Sequence, residues 1–330
     1  MIDSQRQPTV RLERPDEGDE VAVLVDGDPF TAYRYRDAEL KKPVLFPINA
    51  PSGDPVTRGY PLEPRPDDRE DHPHQVGHWF NHGNVSGFDF WNNSEETPPE
   101  RADEMGTIRH REITTATERE GTAELEVRCD WCRPDDSVLV EENTRFAFRA
   151  RPDVRIIDRT TSLAAPDEDV TFHDDKEGLF GFRVTRALEL PVEQEQVFVD
   201  SGGEETVVTA TGDHRVTGTY RSSTGATDSD AWGTRAEWMA LDGSVGDDDV
   251  TVAIMDHPDN PGFPTWWMAR PYGLFAANPL GRAAFDDGAD PTDFTIERGG
   301  SATFRYRLLV GNDTDRSDVD AEYDRFTDGT

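Results

Sequence analysis

Lysine is almost absent from this chain of 330 residues, in which only Lys41, Lys42 and Lys176 occur. Acidic residues outnumber basic ones by 68 to 34, which gives a formal net charge of −34 at pH 7. Because no basic stripe is present to neutralise phosphates, the composition excludes nucleic acid as a partner. Clustered carboxylates stay solvated in multimolar salt, where screening removes their mutual repulsion. The composition therefore predicts a halophilic protein of the cytoplasm.

Long apolar runs and cysteine pairs are also missing. No segment approaches the roughly 18 consecutive apolar residues of a spanning helix, and no apolar run follows a charged start, so we expect no membrane partner. Cys129 and Cys132 form one CxxC without the second pair that a four-cysteine zinc site needs, which predicts two reduced thiols. Neither a phosphate-binding glycine loop nor a GxSxG nucleophile motif is present.

Alternation of polar and apolar residues dominates the chain from residue 106 onward. A period of two at regular spacing is typical of half-buried antiparallel strands. Helical spacing occurs only at 317–326. The pattern predicts an all-β protein, a large antiparallel β-sandwich of two extended sheets with few helices. Strands are predicted at 107–115, 123–131, 137–148, 154–163, 170–172, 180–188, 205–210, 237–241, 250–255 and 302–310.

No internal repeat and no break in composition divides the chain, so we expect residues 1–330 to form a single β-sandwich domain. Within residues 1–40, an apolar run at 21–25 ends in Asp-Gly-Asp-Pro, which predicts an edge hairpin in an N-terminal extension. A short buried strand is predicted at 42–47. Residues 92–104 read NNSEETPPERADE and predict a solvated acidic loop that could cover a site.

Half of the eight histidines lie in one stretch, DHPHQVGHWFNHGNVSGFDFW, at residues 71–91. In an extended segment His72, His74, His78 and His82 would all point to one face. Imidazoles among aromatic residues predict a polar site that can transfer protons or ligate a metal. His72 and His74 would lie roughly 7 Å apart on a strand and could share a divalent metal, whereas one metal held by all four would require the segment to fold back.

Two further groups carry candidate acid/base chemistry. His110 lies on the same predicted strand face as Glu112, where a carboxylate would fix the histidine tautomer, although a cross-strand ion pair is the alternative. Lys176 follows two aspartates in a polar turn of a chain that otherwise uses arginine. It is either a titratable ammonium or a turn lysine that neutralises those aspartates.

A late cluster combines aromatic and hydrogen-bonding residues. It begins at Asp256-His257-Pro258 and continues through Trp266-Trp267 to the segment RPYGLFAANP at 270–279. Indole rings beside Asn, Asp and Arg suit a sugar ring, whose C–H faces stack while its hydroxyls need directional partners. Core packing of the tryptophans is the alternative.

These motifs resemble the family labelled methane oxygenase PmoA-like, from about Lys42 to the C-terminal region. Gln75 and Asn81 stand where that family usually has histidine and glycine. The resemblance implies a β-supersandwich similar to galactose mutarotase and other carbohydrate-active proteins, while the label implies an oxygenase. The resemblance is carried by five segments: PVLFPINAPSGDPVTRGYP, the histidine-rich stretch, HDDKEGLFGFRV, WGTRAEWMALDG and IMDHPDNPGFPTWWMARPYGLFAANPLG.

We therefore expect a carbohydrate-active enzyme that uses acid/base catalysis on a sugar, glycoside or sugar derivative, with its site groups around one cleft. The alternatives are a metal-dependent oxygenase or hydrolase with His72 and His74 as ligands of a divalent metal, and a non-catalytic carbohydrate-binding protein. The expected proton-transfer or charge-stabilising groups are His72, His78, His110, Lys176 and His257. The expected substrate-binding residues are Arg58, Asn81, His82, Trp266, Tyr272 and Asn278.

The net charge predicts that stability depends on salt. The Debye length grows from about 3 Å at 1 M salt to about 30 Å at 0.01 M, so the acidic surface repels itself more strongly in dilute buffer. Calorimetry should show a Tm that falls as potassium chloride is diluted from molar to millimolar concentration. A Tm that stays flat over this range would contradict the halophilic interpretation.

Overall fold

The computed structural model describes residues 7–14, 18–35, 40–199, 205–209 and 216–328. Over these ranges the chain is built mainly of strands, with two helices, α1 (Arg282–Phe285) and α2 (Arg316–Asp328). The strands are β1 (Val10–Glu13), β2 (Glu20–Val25), β3 (Asp28–Arg34), β4 (Val44–Ile48), β5 (His78–His82), β6 (Thr107–Arg119), β7 (Thr122–Cys132), β8 (Val138–Arg151), β9 (Val154–Ala164), β10 (Val170–Phe172), β11 (Gly178–Arg183), β12 (Gln196–Val199), β13 (Glu205–Val208), β14 (Thr219–Ser222), β15 (Trp238–Val245), β16 (Asp248–Asp256), β17 (Trp266–Ala269), β18 (Leu274–Asn278), β19 (Phe294–Ile296) and β20 (Ser301–Asn312).

Two eight-stranded sheets form the sandwich within the described ranges. The first sheet has the order β1-β2-β3-β4-β5-β11-β18-β17, and the second has the order β14-β15-β16-β20-β9-β8-β7-β6. The ladders between these strands are antiparallel. Two short pairs, β10 with β19 and β12 with β13, lie outside the large sheets. The predicted fold class, an all-β antiparallel sandwich with few helices, is confirmed.

Strand alternation places the core between the sheets. On β7, Leu125 and Val127 are buried, while Glu124 and Glu126 on the other face are partly exposed. The inner face of the first sheet contributes residues such as Phe80 to the same hydrophobic cluster. Because side chains alternate with a period of two, the hydrophobic pattern fixes which face of each strand enters the core.

Most predicted elements form, with local differences. The β2–β3 hairpin turns at Asp26 and Gly27, whose φ angles of 52° and 97° match the left-handed turn that two-residue hairpins favour. The hairpin is not the sheet edge, because β1 pairs outside it. The strand predicted at 180–188 ends at Arg183 and passes into a 3-10 turn, and the predicted C-terminal helix is present as α2.

Parts of some predictions fall outside the described residues. Residues 1–6, 15–17 and 36–39 of the predicted N-terminal extension lie there, as does the end of the strand predicted at 205–210. The single-domain organisation stays a prediction. No helix among the described residues is long and apolar enough to cross a membrane.

The outer faces of the two sheets are covered differently. Helix α2 packs on the second sheet through Val319 and Phe326, against residues such as Met255. On the first sheet, a smaller cluster that includes Phe46, Trp79, Trp91, Tyr272 and Val208 fills the outer face. Connecting segments and the β12–β13 pair therefore cover the outer face of the first sheet, which creates a second interior.

A buried ion pair ties the two sheets together. Arg159 on β9 donates from Nη2 to Glu142 Oε1 on β8 at 2.9 Å, and its Nη1 lies 3.3 Å from His78 Nε2 on β5. The Trp131 indole N–H donates to the other Glu142 oxygen at 2.8 Å. Since the Arg159 and Glu142 side chains are 7% and 4% exposed, each charge depends on the other for compensation.

Replacing Arg159 with Met should destabilise the protein strongly. The change leaves the Glu142 carboxylate buried without its cation, and breaking a buried pair in this way costs about 3–5 kcal/mol. The matched control is Arg128→Met, because Arg128 pairs with Glu112 at 2.9 Å with both side chains more than half exposed. Such exposed pairs contribute about 0–1 kcal/mol. Urea unfolding in molar potassium chloride measures both variants, and equal losses would contradict the structural role of Arg159.

Candidate functional site

The outer face of the first sheet, around Trp79 and Asn81 of β5, holds the candidate site. These two residues point away from the core, opposite to Phe80. The Trp79 ring lies directly over Gly181 of β11, where a Cβ atom would come within 2.3 Å of Trp79 Cε2. Gly181 is therefore required for the indole to lie flat on the sheet. Trp91 packs against Trp79 edge-on, with 5.1 Å between ring centroids.

Lys42 enters this face just before β4 and is 5% exposed. Its Nζ donates to the carbonyl oxygen of His74 at 2.7 Å and lies 5.8 Å from the centroid of the Trp79 ring. Burial lowers the pKa of Lys42 from 10.5 to about 7, and Asp89 opposes that shift. At neutral pH the side chain can therefore both accept and donate a proton.

Asp89 is the carboxylate whose charge raises the pKa of Lys42. Its Oδ1 accepts the backbone N–H groups of Trp91 and Asn92 at 2.9 Å each, and its Oδ2 accepts the Asn92 side-chain amide at 2.8 Å. Burial raises the pKa of Asp89, and the Asn92 and Trp91 donors only partly offset this. Asn92 also donates to Glu177 Oε2 at 2.7 Å, so Asn92 links two acidic side chains.

Several buried polar atoms on this face lack a hydrogen-bond partner among the described residues. They are Nε2 of His74, Nε1 of Trp79 and Oδ1 of Asn81. All three side chains are at most 5% exposed. Buried donors and acceptors are normally paired, so three on one face indicate a place where water or a ligand completes the bonding.

A charged clip shapes the loop that carries His72 and His74. Asp71 Oδ1 accepts from Arg58 and from Arg183 at 2.6 Å each. Arg58 also donates to the backbone carbonyls of Asp71, His72 and Gln75, among others. Burial would raise the pKa of Asp71, but the two guanidinium groups outweigh it and hold the pKa well below its usual range. Arg58, predicted to bind substrate, thus uses both terminal nitrogens to fold this loop.

The four clustered histidines do not share one face. His72 and His74 lie in the turn before β5, on the outer side, where His72 has a positive φ of 44° and stacks on Tyr272. His78 and His82 lie on β5 and point inward. His78 is neutral, because burial and the nearby Arg159 hold its pKa well below 6.5, and it bonds Gly181 O as well as Arg159.

Two other expected proton-transfer residues lie elsewhere. His110 on β6 contacts Tyr33 and Tyr35, with Nδ1 3.1 Å from the Tyr33 hydroxyl. His257 follows β16 and packs against Phe326 of α2, on the outer face of the second sheet. The expectation of one cleft containing all these groups is corrected, because alternation and loop conformation send them to different faces.

The remaining predicted residues lie near the edges of the candidate site. His82 Nε2 lies 2.7 Å from the carbonyl of His173, and Asn278 donates to the carbonyls of Asp175 and Lys176. Lys176 is partly buried in that turn. Trp266 lies on the edge strand β17, stacked on Phe285 with Arg235 over its ring. The catalytic and binding roles predicted for these residues stay predictions.

The acidic segment 92–104 lies beside Asp89. Its first residues, Asn92 and Asn93, are buried, and its last turn is a 3-10 helix, Pro99–Glu104. The Asp89 N–H donates to the carbonyl of Glu104 at 2.8 Å, which closes the loop next to the carboxylate. Covering the site remains the predicted role of this segment.

Lys42 and Asp89 are the candidate residues that sequence reasoning missed. The available signal was the rarity of lysine combined with the position of Lys42 directly before the buried run Pro43–Ile48. A lysine beside a fully buried strand is unusual in any protein. Asp89 lies within the histidine-rich stretch, but nothing in the sequence distinguishes it from the other carboxylates of so acidic a chain.

The predicted metal pair is only partly assembled. The rings of His72 and His74 lie 5.4 Å apart, and His72 Nε2 is 2.6 Å from the Thr206 hydroxyl. Among the described residues, no three His, Cys, Asp or Glu side chains converge in a way that could hold a metal ion. A metal at this place would need ligands besides this pair.

Comparison with solved structures finds similar chains at low identity. A galactose mutarotase-like protein from Clostridium acetobutylicum is 10% identical, with a TM-score of 0.38 over 93% of this chain and 99% of that one. Galactose 1-epimerase from Lactobacillus acidophilus NCFM is 10% identical, with a TM-score of 0.39 over 92% and 98%. An α-galactosidase from Geobacillus stearothermophilus has a TM-score of 0.39 and is 10% identical, over 92% of this chain and 40% of that one.

Comparison by sequence gives the family. No curated protein matches the chain. Residues 20–324, which include the second sheet, all of the first sheet except β1 and every candidate residue described above, match a family described as a family of unknown function. The chain therefore belongs to the family of unknown function DUF6807.

Proposed function

We propose that this protein is a carbohydrate-active enzyme that works by acid/base catalysis on the outer face of its first sheet. The observation that carries the proposal is Lys42, a buried ammonium whose pKa is lowered to about 7 and is influenced by the charge of Asp89, whose own pKa is raised. Groups whose environments move their pKa values toward neutrality from opposite sides are suited to exchange protons with a substrate at working pH.

The chemistry follows from the charge states. A neutral Lys42 amine can accept a proton from a sugar hydroxyl or from a carbon next to a carbonyl, and the resulting ammonium can stabilise the negative charge left behind. Asp89, with its raised pKa, can supply or receive the second proton. The charge of Asp89 raises the pKa of Lys42 and so favours the protonated amine. Epimerisation, elimination and hydrolysis of a glycoside all need such a pair.

The indole rings of Trp79 and Trp91 support a sugar as the substrate. The indoles of Trp79 and Trp91 lie beside the uncompensated polar atoms of His74, Trp79 and Asn81. A sugar ring offers apolar C–H groups for the indole rings and hydroxyls for the polar atoms. Of the residues predicted from sequence, we retain Asn81 on this face, with Tyr272 and His72 at its border.

A metal-dependent oxygenase or hydrolase, as the PmoA-like label implies, is the second candidate. The observation that favours it is the His74 Nε2 atom, which lacks a partner among the described residues and lies beside the His72 ring. Two histidines and a carboxylate would suit non-haem iron. Stoichiometric iron or another divalent metal in protein purified from high salt would move this candidate to first place.

The composition also supports a proposal about the salt conditions in which the protein works. We infer a halophilic protein working in a salt-rich cytoplasm from the net charge of −34 and from the use of arginine in place of lysine. Activity assays therefore belong in molar potassium chloride.

Lys42→Arg should abolish most turnover while keeping a positive charge at this position. Arginine does not deprotonate at working pH, and its planar fork does not fit a point-charge site. Loss of a positioned acid or base costs about 10²–10⁴-fold in rate. The assay incubates the protein with neutral and acidic mono- and disaccharides in D₂O and follows deuterium incorporation and product formation by proton NMR.

The matched control is the neighbouring residue. Lys41 is a partly exposed lysine paired with Glu95, so Lys41→Arg should leave turnover unchanged. A folded Lys42→Arg protein with wild-type turnover would remove Lys42 from the mechanism. If the wild type binds sugars and never alters them, the protein is a carbohydrate-binding protein and the enzyme proposal fails.

Lys42 also predicts an unusual dependence of stability on pH. Its pKa is about 7 in the folded protein and 10.5 when the side chain is fully solvated, so between these values the unfolded chain binds more protons. The free energy of unfolding should then rise with pH from about 7 to about 10.5, by on the order of 5 kcal/mol from this residue alone. Lys42→Met should lack this rise. The difference between the two proteins in urea unfolding at pH 7 and pH 10 measures it, and parallel pH profiles would refute the lowered pKa.

A further inference from the structure

A cavity of about 700 Å³ lies next to the candidate site, where the chain leaves β17. Its wall includes the apolar side chains of Val192, Phe198 and Trp232, and exposed carboxylates at Glu193 and Asp228. Arg270 is the only cation that the described part of the chain contributes to the lining. A concave space lined by apolar side chains and a few charged or polar groups is the usual form of a small-molecule subsite.

Arg270 is held in this cavity by aromatic rings instead of carboxylates. Its guanidinium carbon lies 3.4 Å from the centroid of Trp232 and 5.2 Å from that of Phe198. Within the described ranges, its Nε has no hydrogen-bond partner and no carboxylate forms an ion pair with it, but its side chain hydrogen-bonds Tyr272. Stacking occupies the faces of the guanidinium group and Tyr272 takes part of its N–H edge, which leaves the remaining N–H groups to bind a ligand.

The cavity and the Lys42 site are connected through shared residues. Phe198 packs edge-on against Tyr272 at 5.4 Å, and both Tyr272 and Glu177 lie close enough to Arg270 to influence its charge. Glu177 accepts a hydrogen bond from Asn92, which also donates to Asp89. Tyr272, which belongs to the same outer-face cluster as Trp79, therefore also contacts the Arg270 side chain.

We propose that Arg270 binds the carboxylate of the substrate, so that the substrate class is acidic sugars, namely uronates or glycosides that contain a uronic acid. This inference rests on the proposed function and names the substrate of the same site. A planar guanidinium edge matches a carboxylate with two parallel hydrogen bonds. The acidic side chains of Glu193 and Asp228 in the cavity wall repel a dianionic phosphate more than a singly charged carboxylate.

The experiment compares binding of D-glucuronate and D-galacturonate with glucose, galactose and the uronate methyl esters, by calorimetry in molar potassium chloride. Uronates should bind about 10- to 100-fold more tightly than their esters and neutral sugars, the range expected for a hydrogen bond to a charged group. Arg270→Gln should lose this preference. Arg235→Gln, which removes a second arginine stacked on a tryptophan but outside the cavity, should keep it.

Three results would overturn the inference. They are equal affinity for uronate and ester in the wild type, an unchanged preference in folded Arg270→Gln, and tighter binding of inorganic phosphate or a sugar phosphate than of uronate. If Arg270→Gln does not fold, the wild-type comparison of uronate with ester decides alone. Lys42→Met should keep the uronate preference while losing turnover, so failure of the acid/base proposal and failure of this one give different patterns.

Discussion

The structure depends on the burial of charge on the outer face of its first sheet. In most sandwiches that face would meet solvent, and its polar residues would need no partners. Here connecting segments and the β12–β13 pair cover it, so Lys42, Asp71 and Asp89 lie in a poorly hydrated layer. Every charge in that layer must find a partner or change its pKa. Asp71 finds two arginines and stays ionised, whereas burial lowers the pKa of Lys42 and raises that of Asp89 despite the hydrogen bonds that Asp89 accepts.

The ionised Asp71 and the Lys42 side chain with its lowered pKa are linked through the loop between β4 and β5. Arg58 and Arg183 fix Asp71, and Arg58 also holds several backbone carbonyls of the same loop. The loop is thereby folded so that the carbonyl of His74 faces Lys42. The fully charged clip therefore has a structural role, and it positions the carbonyl that holds Lys42, the residue that we assign to chemistry. The buried charges of Asp71 and its two arginines thus set the loop geometry around Lys42.

The fold could be predicted from the sequence because strand alternation is local. Residues such as Leu125 and Glu124 on β7 fall on opposite faces whatever the rest of the chain does. The position of the histidine cluster could also be predicted, but not the direction of its side chains. His72 adopts a positive φ, which no pattern signals for histidine, and the turn separates it from the strand that carries His78. Lys42 was missed because its burial arises from segments distant in sequence, among them the loop of His74.

The protonation of Lys42 can be measured directly, since the chain has only three lysines. Labelling lysine with carbon-13 gives three side-chain signals, which Lys42→Met and Lys41→Arg assign. A Cε resonance that titrates near pH 7, absent in Lys42→Met, is the result that this account predicts. Titration of the Lys42 signal near the ordinary lysine pKa of 10.5 would contradict it.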